Sequence, residues 1–187
     1  TLEDLSFNAD QKETEILEYV LRTAENIVSV IPDRDYQHLE KLVIHGDFHP
    51  GNLKFLNNSV CGLFDFDWIS IQPRIRDVVD GIIYFSAIRS EGIDGSDIFS
   101  LTQPCSFDNE RSKLFVDAYQ SNCHRPLDTD EIAIIPYLMK ARLVHSRVEA
   151  LTKIPVSRRV EMLTKGISEP LLWLDNHYDE FVKRLQQ

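Results

Sequence analysis

The sequence predicts a mostly helical α+β fold with a small β-hairpin near its middle. Three observations support this fold class. Apolar residues repeat every three or four positions between residues 16 and 31, short apolar runs alternate with polar loops between residues 42 and 64, and helical spacing returns from residue 75 onward. The chain has 187 residues, a length typical of one domain or of one lobe of a larger protein.

The first predicted helix begins after Asp10 and ends before Pro32. Asp10 and Glu13 have the D-x-x-E spacing of a capping box, in which side chains satisfy the free amides of the first helical turn. Proline lacks an amide hydrogen, so Pro32 ends the helix. The apolar residues that share one face of this helix are Ile16, Leu17, Val20, Leu21, Ala24, Ile27, Val28 and Ile31.

The middle of the chain predicts a hairpin next to polar loops. Apolar runs at residues 53–56 and 60–64 are separated by Asn57, Asn58 and Ser59, and asparagine-rich turns between short apolar runs are typical of hairpins. A third apolar run, residues 42–44, precedes a polar segment. Loops at the ends of short strands are a common place for functional residues.

The second half of the sequence predicts further helices. Five apolar residues share one face of a helix that begins near residue 75: Ile75, Val78, Val79, Ile82 and Ile83. Glycine, proline, serine and aspartate in residues 91–107 indicate a loop. Further helices are expected at 109–121, at 128–152 with a bend at Pro136, and at 157–185, the last as one or two helices broken near Gly166 or Pro170.

Composition excludes several classes of function. The chain has 30 acidic and 20 basic residues, a formal charge of −10, so it lacks the basic surface that sequence-independent nucleic-acid binding requires. Three cysteines without a C-x-x-C pair argue against a disulfide framework or a zinc site and favour a reducing, cytoplasmic location. Residues 1–10 are polar, unlike a signal peptide, and no apolar run approaches the roughly 18–20 residues of a membrane span. We therefore expect neither nucleic acid nor a membrane as a partner.

The residues suited to catalysis lie between His45 and Trp68. Asp47 and Asn52 belong to one polar loop, and Asp65 follows the second strand of the predicted hairpin. Because a hairpin returns the chain to its starting end, Asn52 and Asp65 should lie close together. Phosphoryl transfer requires a carboxylate that orients the acceptor hydroxyl and hard oxygen ligands that hold Mg²⁺ on the phosphates. Asp47 suits the first task, and the other two residues suit the second.

The same segment resembles the superfamily of aminoglycoside phosphotransferases, choline kinases and homoserine kinases, a branch of the protein-kinase-like fold. Members carry H-G-D-x-x-x-x-N, then a short hairpin and an apolar-apolar-D-[FWL] element. Here these motifs are His45-Gly46-Asp47-Phe48-His49-Pro50-Gly51-Asn52 and Leu63-Phe64-Asp65-Phe66. The segment Arg76-Asp77-Val78 resembles the superfamily's aspartate that opens the next helix. The resemblance covers roughly residues 10–150, and the combined motifs are more specific than either alone.

The resemblance implies both a reaction and its cofactor. Asp47 would be the catalytic base, and Asn52 and Asp65 would bind Mg²⁺. ATP would be the co-substrate, and its γ-phosphoryl group would pass to a hydroxyl of a small molecule, such as an amino alcohol, an aminoglycoside or a homoserine-like compound. The acidic composition favours an amine-bearing acceptor.

The resemblance also assigns supporting roles. Asp77 would accept hydrogen bonds from the backbone of the catalytic loop, and His45 would pack beneath that loop. Asp67 is a candidate for a second metal contact or a substrate contact. His49 and Trp68 are further substrate candidates, although packing against the loop is the commoner use of a histidine there, and half-buried packing that of an aromatic side chain.

Two arginines follow this segment. Arg74 and Arg76 are candidates for a contact with phosphate, but we expect them to pair with Asp77 or Asp80 instead.

The nucleotide-binding half of the superfamily is not recognisable in the sequence. No G-x-G-x-x-G occurs, and Lys12 and Lys41 do not follow a glycine-rich loop. The expectation is therefore that residues 1–187 form a single C-terminal catalytic lobe that is inactive by itself. Such a lobe would expose the apolar surface that normally meets the other lobe, which favours self-association.

Two other functions compete with this interpretation. His45, Asp47 and His49 spell H-x-D-x-H, a pattern also suited to a metal-dependent hydrolase, although the remaining histidines form no second ligand motif. A non-catalytic kinase-like binding module is the other alternative, and the intact Asp47, Asn52 and Asp65 argue against it.

Overall fold

A computed structural model of the chain describes residues 9–94 and 96–187. Residues 1–8 lie outside this description. They make up most of the polar segment that we predicted not to be a signal peptide. The helices are α1 (Gln11–Val30), α2 (Asp33–His38), α3 (Ile75–Ser86), α4 (Asn109–Asn122), α5 (Thr129–Ala150), α6 (Arg159–Thr164), α7 (Ser168–Asn176) and α8 (Tyr178–Leu185). The strands are β1 (Lys41–Ile44), β2 (Leu53–Leu56), β3 (Ser59–Leu63), β4 (Ser70–Pro73), β5 (Ala87–Arg89) and β6 (Cys105–Phe107). The fold is therefore mostly helical with small sheets, as predicted.

The ends of α1 confirm the sequence prediction. The Glu13 amide donates to Asp10 Oδ1 at 2.8 Å, and the Asp10 amide donates to Glu13 Oε2 at 2.9 Å. These are the two hydrogen bonds of a capping box. The helix ends at Val30, two residues before Pro32. The same type of cap, formed by Asp128 and Glu131, begins α5.

The predicted hairpin is present as the antiparallel pair β2–β3. Asn57 and Asn58 connect its strands with φ angles of 48° and 60°. Asparagine tolerates this left-handed region, which two-residue hairpin turns require at both central positions. The strand β1 pairs with β4, a strand that the sequence pattern did not predict.

The core is centred on α3. Its five predicted apolar residues are all buried, which confirms the predicted face: Ile75, Val78, Val79, Ile82 and Ile83. This helix packs against α4 and α5, and the core also includes Ile135 and Met139 of α5 and Phe181 of α8. A rigid α3 matters for the site because the helix carries Asp77 and Asp80.

Two predictions about the second half were incomplete. Residues 91–107 are not wholly a loop, because β6 pairs with β5 in a two-stranded sheet. The C-terminal region holds three helices instead of one or two. Gly166, with a φ of 64°, lies at the first break, whereas Pro170 falls in the first turn of α7, where a missing amide hydrogen disrupts no helical bond. The second break lies at His177.

Large apolar side chains are concentrated on the surface of the sheet region. Eleven of them between residues 42 and 71 are exposed: Leu42, Val43, Phe55, Leu56, Val60, Leu63, Phe64, Phe66, Trp68, Ile69 and Ile71. We call these residues the apolar face. So many exposed apolar side chains are typical of a surface that contacts another chain segment or another molecule.

Two further sequence expectations concern membranes and cysteines. In the part of the chain that the structure describes, no helix has the length and apolar character needed to cross a membrane. Cys61, Cys105 and Cys123 are free thiols, as the absence of a cysteine pattern predicted.

Candidate functional site

The loop that follows β1 is fixed to the start of α3. Asp77, in the first turn of that helix, accepts the His45 amide at 2.7 Å and the Gly46 amide at 2.9 Å, one on each carboxylate oxygen. Arg76 donates to the Gly46 carbonyl at 3.3 Å. The hydrogen bonds expected between Asp77 and the loop backbone are thus present, and they connect the loop to the core helix α3.

His45 connects this loop to the end of the hairpin. Its Nδ1 accepts the Asp47 amide at 3.4 Å, so the ring proton lies on Nε2, which donates to the Phe64 carbonyl at 2.7 Å. The side chain is buried. One ring nitrogen therefore holds the chain immediately before Asp65 and the other holds the Asp47 amide, so neither is available as a metal ligand.

The two predicted metal ligands flank the hairpin in sequence, with Asn52 immediately before β2 and Asp65 two residues after the end of β3. Asn52 is buried, its Nδ2 donates to the Asp47 carbonyl at 2.9 Å, and its own carbonyl accepts the Phe64 amide at 2.9 Å. The first hydrogen bond fixes the side-chain amide and leaves Oδ1 as a possible ligand oxygen. Asp65 is exposed, and its backbone has a φ of 60°, a value that residues other than glycine rarely adopt. Within the described residues its carboxylate forms no hydrogen bond or ion pair. These features fit an oxygen ligand for Mg²⁺.

Two nitrogen donors contact the Asp47 carboxylate, which is 28% exposed. His49 Nδ1 accepts the Gly51 amide at 3.0 Å, so the proton of the neutral ring lies on Nε2, 3.4 Å from Asp47 Oδ2. Arg142 Nη2 lies 3.4 Å from the other carboxylate oxygen. His49 thus packs in the loop and orients Asp47, an arrangement that leaves the carboxylate partly open to solvent.

Arg142 is the site residue that sequence reasoning missed. It lies in α5, 95 residues after Asp47, and its Nε also donates to Asp80 Oδ1 at 2.6 Å. Burial raises the pKa of Asp80, and the charge of Arg142 opposes this rise. Burial also disfavours the charge of Arg142, but Asp80 outweighs it and raises the pKa of Arg142. The only available signal was Asp80 itself, a charged residue within an otherwise apolar helix, because a buried carboxylate requires a cation.

The predicted pairing of Arg74 and Arg76 with Asp77 or Asp80 was wrong. Arg74 is buried against Glu131, and Arg76 donates to the Gly46 carbonyl. The packing of α5 beside α3 explains the difference. Glu131 of α5 contacts Arg74, and Arg142 of α5 contacts Asp80.

A cavity of about 850 Å³ opens beside Asp47. This volume is within the range of small-molecule sites. Asp47, His49 and Arg142 line the cavity together with residues from the end of α3, from β5 and the loop after it, and from the end of α5 and the turn after it, among them Tyr84, Arg89, Glu91, Ser146, Glu149 and Lys153. The structure therefore places the proposed base at the edge of a space that is large enough for an acceptor molecule.

Asp67 and Trp68 lie on the exposed side of the loop. Asp67 is exposed, and its carboxylate forms no hydrogen bond or ion pair with the described residues. Trp68 is 57% exposed and belongs to the apolar face, so part of its surface packs against the protein and the rest faces solvent. Its backbone carbonyl, in contrast, packs against Gly46.

Gly46 gives a direct test of this packing. It has a φ of 82°, and a methyl group there would lie 2.5 Å from the Trp68 carbonyl oxygen. We expect Gly46→Ala to lower the free energy of unfolding by about 2 kcal/mol or more, measured by urea denaturation. Gly92→Ala is the matched control, because no atom lies within 4 Å of the added methyl group. An equal effect of the two substitutions would contradict the close approach.

The hydrolase alternative lacks a suitable ligand set. Among residues 9–94 and 96–187, no three histidine, cysteine, aspartate or glutamate side chains are grouped so that they could hold a metal ion. The H-x-D-x-H pattern is instead used for hydrogen bonds within the loop, in which His45 is fully engaged. The site thus favours the phosphotransfer interpretation of these residues.

Comparison with known proteins assigns the chain to a family. A search of curated proteins found no match. A scan against protein-family models matched residues 2–98 to APH, the phosphotransferase enzyme family, and this match spans α1, the loop, the hairpin and α3. The match covers just over half of the chain and includes both motifs on which the resemblance depends. The chain belongs to the phosphotransferase enzyme family, part of the protein-kinase-like superfamily.

Proposed function

We propose that this chain carries the catalytic loop of an ATP-dependent phosphotransferase whose acceptor is a hydroxyl group of a small molecule. The observation that carries the proposal is the connection between three oxygen-bearing residues. Asp47 borders the cavity, Asn52 donates to the Asp47 carbonyl, and His45 holds the residue before Asp65. The hairpin β2–β3 would thus serve as the support of a catalytic loop.

In the proposed reaction, Asp47 acts as the base. The acceptor hydroxyl oxygen forms a bond to the γ-phosphorus of ATP while the bond from that phosphorus to the bridging β,γ-oxygen breaks. The hydroxyl proton passes to the Asp47 carboxylate, and the products are ADP and a phosphate monoester. His49 and Arg142 hold the carboxylate in place through its two oxygens.

Asn52 and Asp65 are the residues that would hold Mg²⁺. Magnesium prefers hard oxygen ligands and is usually bound by one or two side chains together with substrate phosphates, so two residues suffice. When bound, the ion neutralises charge on the phosphates. The strained backbone of Asp65 supports this assignment, because such conformations are concentrated at functional sites.

Replacement of Asp65 tests the metal assignment. Asparagine tolerates the left-handed backbone but removes the carboxylate charge. We expect Asp65→Asn to raise the Mg²⁺ concentration for half-maximal phosphotransfer by about tenfold or more in the complete protein. Asp67→Asn is the matched control, since Asp67 is equally exposed and lies two residues away. A larger shift from the Asp67 substitution would move the metal ligand to that residue.

We also propose that residues 1–187 form one catalytic lobe and that the apolar face meets the nucleotide-binding half of the enzyme. The apolar face supports this proposal because its side chains surround Asn52 and Asp65 in sequence and are exposed.

A phosphotransfer screen of small hydroxyl compounds with the complete protein and Mg·ATP tests the function. Failure to phosphorylate any compound, with the protein folded, would favour a non-catalytic binding module.

A further inference from the structure

The cavity beside Asp47 contains charges that the catalytic residues do not use. Asp47 and Glu149 already contact Arg142, and Glu149 also contacts His145. None of the ion pairs formed within residues 9–94 and 96–187 involves Arg89 or Lys153. The lining therefore holds two cations without a carboxylate partner among the described residues.

A third cation strengthens the positive charge near Arg89. Arg147 in α5 is only 5% exposed, and its one hydrogen bond within the described residues is to the Met162 carbonyl at 3.2 Å. Burial lowers the pKa of Arg147 to about 10, and the nearby charge of Arg89 acts in the same direction. Burial raises the pKa of the Cys105 thiol, which therefore supplies no negative charge at neutral pH. A buried cation without a counter-charge is unfavourable, so an anion near Arg89 would stabilise the site.

The lining also holds an unpaired anion. Glu91 forms no ion pair within the described residues, but its side chain is exposed, as is that of Lys153, so water screens both charges. Arg89 is partly buried, and its planar guanidinium suits a two-point contact with an oxyanion. Arg89 is therefore the unpaired charge of the lining that water screens least, and it favours an anionic ligand although the whole chain carries a formal charge of −10.

We propose that the phosphoryl acceptor carries an oxyanion group, a carboxylate or a phosphate, which binds Arg89 and Lys153 while the acceptor hydroxyl lies at Asp47. This inference rests on the proposed function, and it differs from the amine-bearing acceptor that overall composition favours. Overall composition is a poor guide here because the charges that line a cavity act at short distance, whereas the remaining surface charges are screened.

The test compares four straight six-carbon compounds. Each has a hydroxyl at one end and, at the other, a carboxylate, a phosphate, a second hydroxyl or an ammonium group. Calorimetry with the full chain, without nucleotide, measures binding alone. We expect both anionic compounds to bind about tenfold or more tightly than the diol and the amine, and the tighter anion identifies the preferred group. Equal or tighter binding of the amine, or no binding of either anion, would overturn the proposal.

Substitutions test which residues cause the preference for anionic compounds. Arg89→Gln should remove it, and Lys153→Gln, at an exposed position that does not threaten folding, should reduce it severalfold. Arg22→Gln is the matched control, an exposed arginine on α1 that should leave the preference unchanged. Because the calorimetry is carried out without nucleotide, a missing preference for anions can be distinguished from a missing phosphotransfer activity. A preference that survives both the Arg89 and the Lys153 substitutions would contradict the assignment.

Discussion

Replacement of Asp47 by asparagine is expected to lower the phosphotransfer rate by about 10²–10⁴-fold, the usual contribution of a positioned general base. The substitution keeps the shape of the side chain but removes the group that accepts the hydroxyl proton. The affinity for nucleotide should change little, since Asp47 lines the cavity that we assign to the acceptor. The measurement is steady-state kinetics of the complete protein with Mg·ATP.

Asp33→Asn is the control for this substitution. Asp33 is an exposed aspartate in the first turn of α2, outside the cavity lining. Its replacement should leave the rate within error of the unmodified protein. If Asp47→Asn also leaves the rate unchanged while the protein remains folded, Asp47 is not the base.

Replacement of Glu131 by alanine should have the largest effect on stability. Glu131 accepts from Arg74 at 3.0 and 2.6 Å, and both side chains are buried. The guanidinium group of arginine is effectively always protonated, so Arg74 stays charged after the substitution. We expect a loss of about 3–5 kcal/mol in the free energy of unfolding, measured by urea denaturation, because a buried charge is left without its main partner.

Glu110→Ala provides a matched comparison for this ion pair. Glu110 contacts Arg184 at 2.6 Å, the same distance as the shorter contact of Glu131, but its side chain is 71% exposed. Exposed pairs contribute about 1 kcal/mol or less. Similar losses from the two substitutions would show that burial does not set the strength of the Arg74–Glu131 pair.

Local sequence signals predicted the parts of the fold that depend on neighbouring residues. Asp10 and Glu13 marked the start of α1 because a capping box involves residues three apart. Asn57 and Asn58 marked the hairpin because few other residues tolerate the backbone of its turn. The strand β4 was missed because it is short, contains Pro73 and exists through its pairing with β1, about 30 residues earlier in the chain.

The site was predictable only in part for the same reason. The motif residues Asp47, Asn52 and Asp65 occur within a short span, so their spacing in the sequence was enough to propose them as a site. Arg142 and Arg89 enter the site through the packing of α5 and the pairing of β5, which no local pattern encodes. The charge of the acceptor cavity therefore became visible only in the structure.

The most direct test of the account is a crystal structure of the complete protein with Mg²⁺ and a non-hydrolysable ATP analogue. The account predicts that Asn52 Oδ1 and an Asp65 carboxylate oxygen bind one Mg²⁺ at about 2.0–2.1 Å, with the γ-phosphate between that ion and Asp47. A magnesium ion held by other residues, or Asp47 turned away from the γ-phosphate, would contradict it.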